Sequence, residues 1–344
     1  MHKNTHTTLG FWNTLRKPII VLAPMADVTD CAFREMIATY GKPDVMWTEF
    51  VSADGLFRGG YDKLKYDLIF NTKEKPLVAQ FFTSNPEYME EAGKLAVEMG
   101  FDGLDINMGC PDRSIEKQGC GSAMIKNPAK AREIIRAAQK GVDGKIPVSV
   151  KTRLGYNTDQ LEEWLPELLA ENPAVVTLHA RTRKQMSKVP AQWERITRAV
   201  QIRDEASSGT LIFGNGDILT PEDAFAIAQK TGADGVMIGK GIFGKPWLFA
   251  DLAKRKEAFL AGESFPIYEP DIETRLLRAL EHTELFVRYL GDIKSFALMK
   301  KHFKAYITDF DGAKELRERL FLSADVDEVR RIIHHFIQTK EILP

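Results

Sequence analysis

The sequence predicts an α/β fold, a (β/α)8 TIM barrel followed by a smaller C-terminal helical domain, on three observations. Short β-rich runs alternate with helix-period segments until eight runs are counted, and polar residues gather at the C-terminal ends of those runs. Beyond about residue 267 the alternation stops and helix-period sequence continues alone. The length of 344 residues fits one barrel of about 250 residues plus an appendage better than a single core.

The runs are PIIVLAPM (18–25), VMWTEF (45–50), LVAQFF (77–82), GLDINMGC (103–110), VSVKTRLG (148–155), AVVTLHAR (174–181), LIFGNGD (211–217) and GVMIGKG (235–241). Several are apolar nearly throughout their first half, as parallel strands are when helices cover one side and barrel side chains the other. A doubly wound sheet gives the same alternation but places its glycine-rich phosphate turn after the first strand. Here the glycine clusters follow the seventh and eighth runs. The resulting division is a lead-in segment 1–17, a barrel 18–262 and a helical domain 268–344, joined by the Pro- and Gly-containing AGESFPIYEP.

A formal net charge of −1 argues against binding nucleic acid through overall charge, so any such contact must come from a local basic face. Cys31, Cys110 and Cys120 form no C-x-x-C pair and no zinc-ligand spacing with histidine, which disfavours structural zinc, any metal site and a disulfide framework. With no signal-peptide-length apolar run at the start and no stretch of about 18 apolar residues, a cytoplasmic protein away from membranes is expected, here as a monomer with reduced thiols.

Four groups of residues could carry chemistry. GNGD (214–217) and GKG (239–241) lie where barrels bind phosphate through backbone N–H groups, with Lys240 adding charge; otherwise these glycines only make tight turns. Lys151, His179 and Arg181 end adjacent strands, with Gln80 and Asn107 as amide partners from two others. Positive charge there suits a flavin ring, whose reduced form is anionic, although single strand-end cations are also commonly solvated or paired. Cys110 ends the fourth run and opens GCPDRSIEKQGCGSAMIKNP (109–128), which has the length and glycine content of a mobile active-site cover. A thiol there could protonate a carbon next to a carbonyl; the alternative is a buried inert cysteine, the reading given to Cys31, while a redox pair of Cys110 with Cys120 stays open. Finally, IKSFALMKKHFKAYI (293–307) sets Lys294, Lys300, Lys301 and Lys304 beside Phe296, Phe303 and Tyr306 on one helix, suited to phosphate contacts and base stacking, or simply a solvated charged face.

Taken together, APM (23–25), AQ (79–80), DINMGCP (105–111), VKTRLG (150–155), HARTR (179–183), GNGD (214–217), MIGKGIFGKPW (237–247) and MKKHFKAYI (299–307) resemble the motifs of the tRNA-dihydrouridine synthase family, in that family's order. The similarity runs from about Leu22 through the helical region. It implies an FMN-binding barrel that takes electrons from NADPH and passes a hydride to C6 of a uracil, with Cys110 as the acid at C5. It implies further that Pro24, Met25 and Gln80 surround the flavin ring, that Lys151, His179 and Arg181 contact flavin or substrate, and that Asn215, Gly216, Asp217, Gly239, Lys240 and Gly241 hold the ribityl and phosphate groups. Asn107, Arg181, Lys300, Lys301 and Lys304 are then the substrate-binding candidates, and tRNA or another structured RNA is the partner, its target base leaving the stack to react.

Departures from the pattern point to a divergent branch with another target position or another RNA. KQMSKVPAQW follows HARTR where a tyrosine-glycine type continuation is usual, Lys240 stands where arginine is common, and Lys245 and Cys120 replace an expected Asn and a small residue. The competing readings are a dihydrouridine synthase acting on ribosomal RNA, a small-molecule FMN oxidoreductase of dihydroorotate dehydrogenase or old-yellow-enzyme type, a non-catalytic RNA-binding barrel, and a flavin-dependent RNA methyltransferase.

Overall fold

The structure, a computed structural model, describes residues 9–341. In chain order its main elements are β1 (Ile19–Leu22), α1 (Cys31–Tyr40), β2 (Met46–Ser52), β3 (Leu77–Phe82), α2 (Pro86–Glu98), β4 (Gly103–Asn107), α3 (Pro128–Val142), β5 (Val148–Arg153), α4 (Leu161–Leu169), β6 (Val175–His179), α5 (Trp193–Glu205), β7 (Leu211–Asn215), α6 (Pro221–Thr231) and β8 (Gly235–Ile238). They are followed by α7 (Leu252–Ala261), α8 (Ile272–Leu290), α9 (Met299–Tyr306), α10 (Ala313–Leu322) and α11 (Val326–Thr339). The eight strands are parallel and hydrogen-bonded in the order β1-β8-β7-β6-β5-β4-β3-β2. The ends of that order meet at a Val21–Val45 bridge, where Leu22 N–H donates to the Val45 carbonyl at 3.1 Å, giving a TIM-like α/β fold.

Local sequence sets the starts of the helices. Asn85, Asn127 and Thr220 each accept a hydrogen bond from the first turn of α2, α3 and α6, and each is followed by a proline at the first helical position, where no N–H is needed. Within the strands the alternation separates two layers. Ile20 and Leu22 pack outward into the apolar layer shared with the helices, whereas Ile19 and Val21 join Trp47, Val78, Phe213 and Met237 in a second cluster within the barrel. Trp12, from the lead-in turn Gly10–Thr14, belongs to that cluster, with its ring 5.8 Å from Trp47 and 5.5 Å edge-on from Phe213.

The C-terminal helices share one continuous apolar core with the outer layer of the barrel. Phe33 of α1 stacks on His282 of α8 at 4.8 Å, and the hydroxyls of Tyr40 and Tyr289 donate to Glu281 and Glu35 across the same contact. Between α8 and α9, Lys294 reaches Glu49 of β2 at 2.9 Å and Asp67 at 2.7 Å, so a single ammonium joins the helical region to the strand next to the barrel mouth. Lys294→Met removes the shared cation and is expected to cost about 3 kcal/mol, read as a lowered Tm. Burial already pushes the Glu49 carboxyl up to about 7 against the pull of Lys294, and without that cation the acid keeps its proton to higher pH; the destabilisation is therefore smaller at pH 6, where the carboxyl is neutral in both proteins, than at pH 8.

The basic and aromatic stretch 293–307 does not present one mixed face. Phe303 and Tyr306 are buried in the core, which removes them as stacking surfaces for bases, and Lys294 is held in its two ion pairs. Lys300 and Lys304 are exposed and Lys301 is half-buried. The helix is amphipathic in the ordinary sense, with its aromatics facing inward.

Candidate active site

Polar side chains converge where β3 to β8 end. Beneath Cys110 runs a chain of buried hydrogen bonds: Gln80 donates to Asp105 at 2.6 Å, Asn107 donates to the Gln80 carbonyl oxygen at 3.1 Å, and the Asn107 side-chain oxygen accepts the N–H groups of Gly109 and Cys110 at 3.1 and 2.9 Å. Ser149 also donates to Asp105, at 2.5 Å. Asp105 is held up to about 6, chiefly by burial and against these donors. The structure thus turns the amides of Gln80 and Asn107 toward each other and toward the Cys110 turn, where they fix the end of β4.

A cavity of about 210 Å3 opens beside this chain, lined by Pro24, Met25, Lys151, His179, Arg181, Asn215, Gly216, Asp217, Gly239 and Lys240, together with Ala23, Ser187 and Ile218. Of the residues expected there, Gly241 is displaced: a Cβ on it would meet the Leu219 carbonyl oxygen at 2.3 Å, so its glycine serves close packing of one loop on another. Gly216 has φ +133°, and a Cβ there would come within 2.9 Å of Ala191. Around Gly239 the nearest atoms to such a Cβ are Ala23 and Met25 at 3.6 Å, leaving the backbone open to the cavity.

The walls are cationic. Arg181 is tied on three sides, donating to the Val189 carbonyl at 2.6 Å and to Nε2 of His179 at 3.0 Å and pairing with Asp217. Because a guanidinium only donates, Nε2 of His179 accepts and the ring is neutral with its proton on Nδ1. Burial holds the imidazole far below its ordinary value, with Arg153, Lys151 and Arg181 adding to the effect. Lys151 makes no side-chain hydrogen bond and no ion pair among the described residues, and burial followed by the charge of Arg153 pushes its ammonium down to about 8. An unpaired ammonium on the wall of a glycine-lined cavity is a ready partner for an anion or an electron-rich ring.

Cys110 lies in an adjoining recess of about 710 Å3 with Phe50, Arg113, Arg183, Lys184, Met186 and Lys188. Burial raises its thiol above the ordinary value while Lys151 and Arg153 pull the other way, so the neutral, proton-carrying form prevails at neutral pH. The loop after it is more tightly built than an open cover. The Cys110 carbonyl accepts both N–H and hydroxyl of Ser122 at 2.9 Å, and residues 121–125 are buried. Cys120 packs with Ile115 and Phe82, donates to the Gln118 carbonyl and is pushed up to about 11 by burial.

Against this geometry, a family model described as dihydrouridine synthase (Dus) matches residues 21–341. The chain belongs to the dihydrouridine synthase family. Two of its relatives in the family are a probable tRNA-dihydrouridine synthase of Staphylococcus aureus strain COL, 38% identical over 330 residues covering 95% of each chain, and probable tRNA-dihydrouridine synthase 2 of Bacillus subtilis strain 168, 38% identical over 333 residues covering 96% of this chain and 97% of that one. Among solved structures, morphinone reductase aligns with a TM-score of 0.50 at 15% identity over 79% of this chain and 93% of its own. A 6-hydroxypseudooxynicotine amine oxidase from Pseudomonas geniculata N1 aligns at 0.51 and 13% identity over 71% of this chain, which spans about half of that protein at 47%. These two likenesses concern the fold.

Within the site, the sequence places Arg153 at a strand end but gives it no role, and gives none to Asp105. Arg153 is buried, donates to the Gly109 carbonyl at 2.7 Å, and is pushed down to about 10 chiefly by burial, so it braces the Cys110 turn from β5. Its position at a strand end was visible; its burial depends on Thr182 and Met186, which come from a distant loop.

Proposed function

We propose that this family member reduces uridine in tRNA to dihydrouridine, with FMN in the 210 Å3 cavity, NADPH as electron donor and Cys110 as the general acid. The observation that carries this reading is the adjacency of two chambers that hold different chemical groups. One has an unpaired ammonium and a glycine cradle suited to an anionic, redox-active group; the next has a protonated thiol with room for a nucleobase. Bound FMN would supply the hydride that reaches C6 of the uracil.

The chain's own residues account for the rest. Lys151, Lys240 and the backbone at Gly216 and Gly239 hold the cofactor, with Pro24 and Met25 on its side of the cavity. Arg181 keeps His179 neutral and oriented, so His179 presents an Nδ1–H donor instead of a second charge. Asn107 fixes the backbone of Cys110, and the thiol transfers its proton to C5, leaving a thiolate that Lys151 and Arg153 stabilise until solvent restores the proton. The helical region 268–344, with Lys300, Lys301 and Lys304, is a second contact surface for the RNA acting as a recognition domain. Among the described residues no helix is long and apolar enough to cross a membrane.

The purified protein is expected to carry a flavin spectrum that bleaches with NADPH and returns on anaerobic addition of unmodified tRNA but not of free uridine. A spectrum that bleaches and is restored by free pyrimidines alone would favour a small-molecule reductase.

A further inference from the structure

The recess around Cys110 has a rim that lies apart from the cofactor cavity. One side is Pro111 to Arg113, the other the loop from Arg183 to Lys188. Arg183 is already neutralised, pairing with Glu116 and stacking on Tyr156 at 5.2 Å. Arg113, Lys184 and Lys188 differ: each is exposed, and none forms an ion pair among the described residues. For Arg113 this is unusual on the barrel surface, where Arg132 pairs with Glu171, Arg195 with Asp159 and Arg198 with Glu162. The one carboxylate on the rim, Asp112, accepts Ser114 N–H at 2.8 Å and so is engaged in capping its own turn. Three unopposed cations therefore surround an opening of nucleotide size that leads to the reactive thiol.

The loop also carries an apolar tip. Met186 is 39% exposed and sits between the two lysines with φ +54°, a left-handed conformation that side chains other than glycine, asparagine and aspartate rarely adopt. The turn is held nonetheless: Met186 N–H donates to the Arg183 carbonyl at 3.2 Å, and Arg153, from beneath Cys110, donates to the Met186 carbonyl at 3.4 Å. The same loop separates the two chambers, with Ser187 on the cavity and Lys184, Met186 and Lys188 on the recess. The left-handed angle thus presents an apolar side chain to solvent at the mouth of the recess.

We propose that the loop from Arg183 to Val189, with Arg113 facing it across the recess, receives the RNA strand on either side of the target base: Arg113, Lys184 and Lys188 neutralise backbone phosphates, and Met186 lies against the base left uncovered when the target swings out. The proposal rests on the RNA-reducing reading and adds which residues grip the strand. Phosphate contacts give the grip and its salt dependence. The apolar side chain compensates part of the stacking lost when the target base leaves the helix.

The test is the salt dependence of binding to an unmodified tRNA transcript, comparing Lys184→Ala/Lys188→Ala with the charge-matched Lys145→Ala/Lys230→Ala. The latter pair lies at the opposite end of the barrel, before β5 and β8. The loop pair is expected to reduce the slope of log affinity against log salt by about 1.5, and adding Arg113→Ala by about 0.7 more, while the distant pair leaves it unchanged. Met186→Gly, which relieves the left-handed angle, is expected to keep or raise Tm while lowering kcat/KM for tRNA about tenfold. A loop pair with the parent slope, or equal losses from both pairs, overturns the proposal. So does Met186→Gly with full activity on tRNA. A parent protein that neither binds tRNA nor forms dihydrouridine fails differently, since it removes the RNA reading itself.

Discussion

Cys110→Ala is expected to keep its flavin and its reduction by NADPH while forming dihydrouridine about 10²-fold more slowly or worse. The backbone at this position does not depend on the thiol. Asn107 accepts the Cys110 N–H at 2.9 Å, and Ser122 donates to its carbonyl, so an alanine inherits the same turn and loses only the proton donor. Burial holds the thiol above its ordinary value, which sets the sign of the pH effect. Product formation by the parent stays level through neutrality and declines only in the alkaline range, as the acid form is lost. Single-turnover formation of dihydrouridine from pre-reduced protein, followed across pH, measures both. Loss of flavin from Cys110→Ala would instead make the residue structural.

Lys151→Met is expected to weaken FMN binding by about tenfold or more and to slow reduction of what remains bound. An unpaired ammonium near an anionic group contributes about 1 kcal/mol in a water-like setting and about 4 kcal/mol in a partly excluded one at about 4 Å, so tenfold, about 1.4 kcal/mol, lies toward the lower end of that range. The free protein should show the same dependence through pH. Burial and Arg153 bring Lys151 down to about 8, so the charge is present below that value and lost above it, and FMN affinity falls as pH rises through about 8. Unfolded lysine keeps its proton to about 10.5, so the cofactor-free protein gains stability with pH between those two values. Equilibrium titration of FMN against apoprotein at pH 7 and pH 9, with Lys151→Met alongside, checks the claim; a parent affinity independent of pH counts against it.

Much of the fold was legible because it depends on short-range pattern. Apolar runs such as Leu77–Phe82, buried at all six positions, and capped, proline-led helices such as Pro86–Glu98 announce themselves locally. Strand ends were read too long for the same reason. The run expected over 103–110 stops as a strand at Asn107, whose side chain captures the next two free N–H groups and turns the chain, an event with no periodic signature. Trp12 was invisible as part of the barrel cluster because a lone tryptophan in a polar lead-in has no periodicity to report.

At the site, residue types and strand ends pointed to the face where the polar side chains converge, but partnering did not follow from them. Gln80 and Asn107 could have faced a ligand; a buried Asp105 two residues from Asn107 takes the Gln80 amide, whose carbonyl oxygen in turn takes the Asn107 amide. Lys294 belonged by sequence to the same basic stretch as Lys300 and Lys304, yet Glu49 and Asp67, more than 220 positions away, bind it and leave only the others to solvent. Long-range partners decide which charges are free, and these appear only once the chain is folded.

The measurement that tests the central claim most directly is mass spectrometry of nucleosides from unmodified tRNA, and in parallel from ribosomal RNA, after incubation with the flavin-loaded protein and NADPH. The account predicts uridine that has gained two hydrogens in tRNA, dependent on NADPH and lost in Cys110→Ala. Flavin that NADPH reduces, with no such uridine in either RNA, would contradict it.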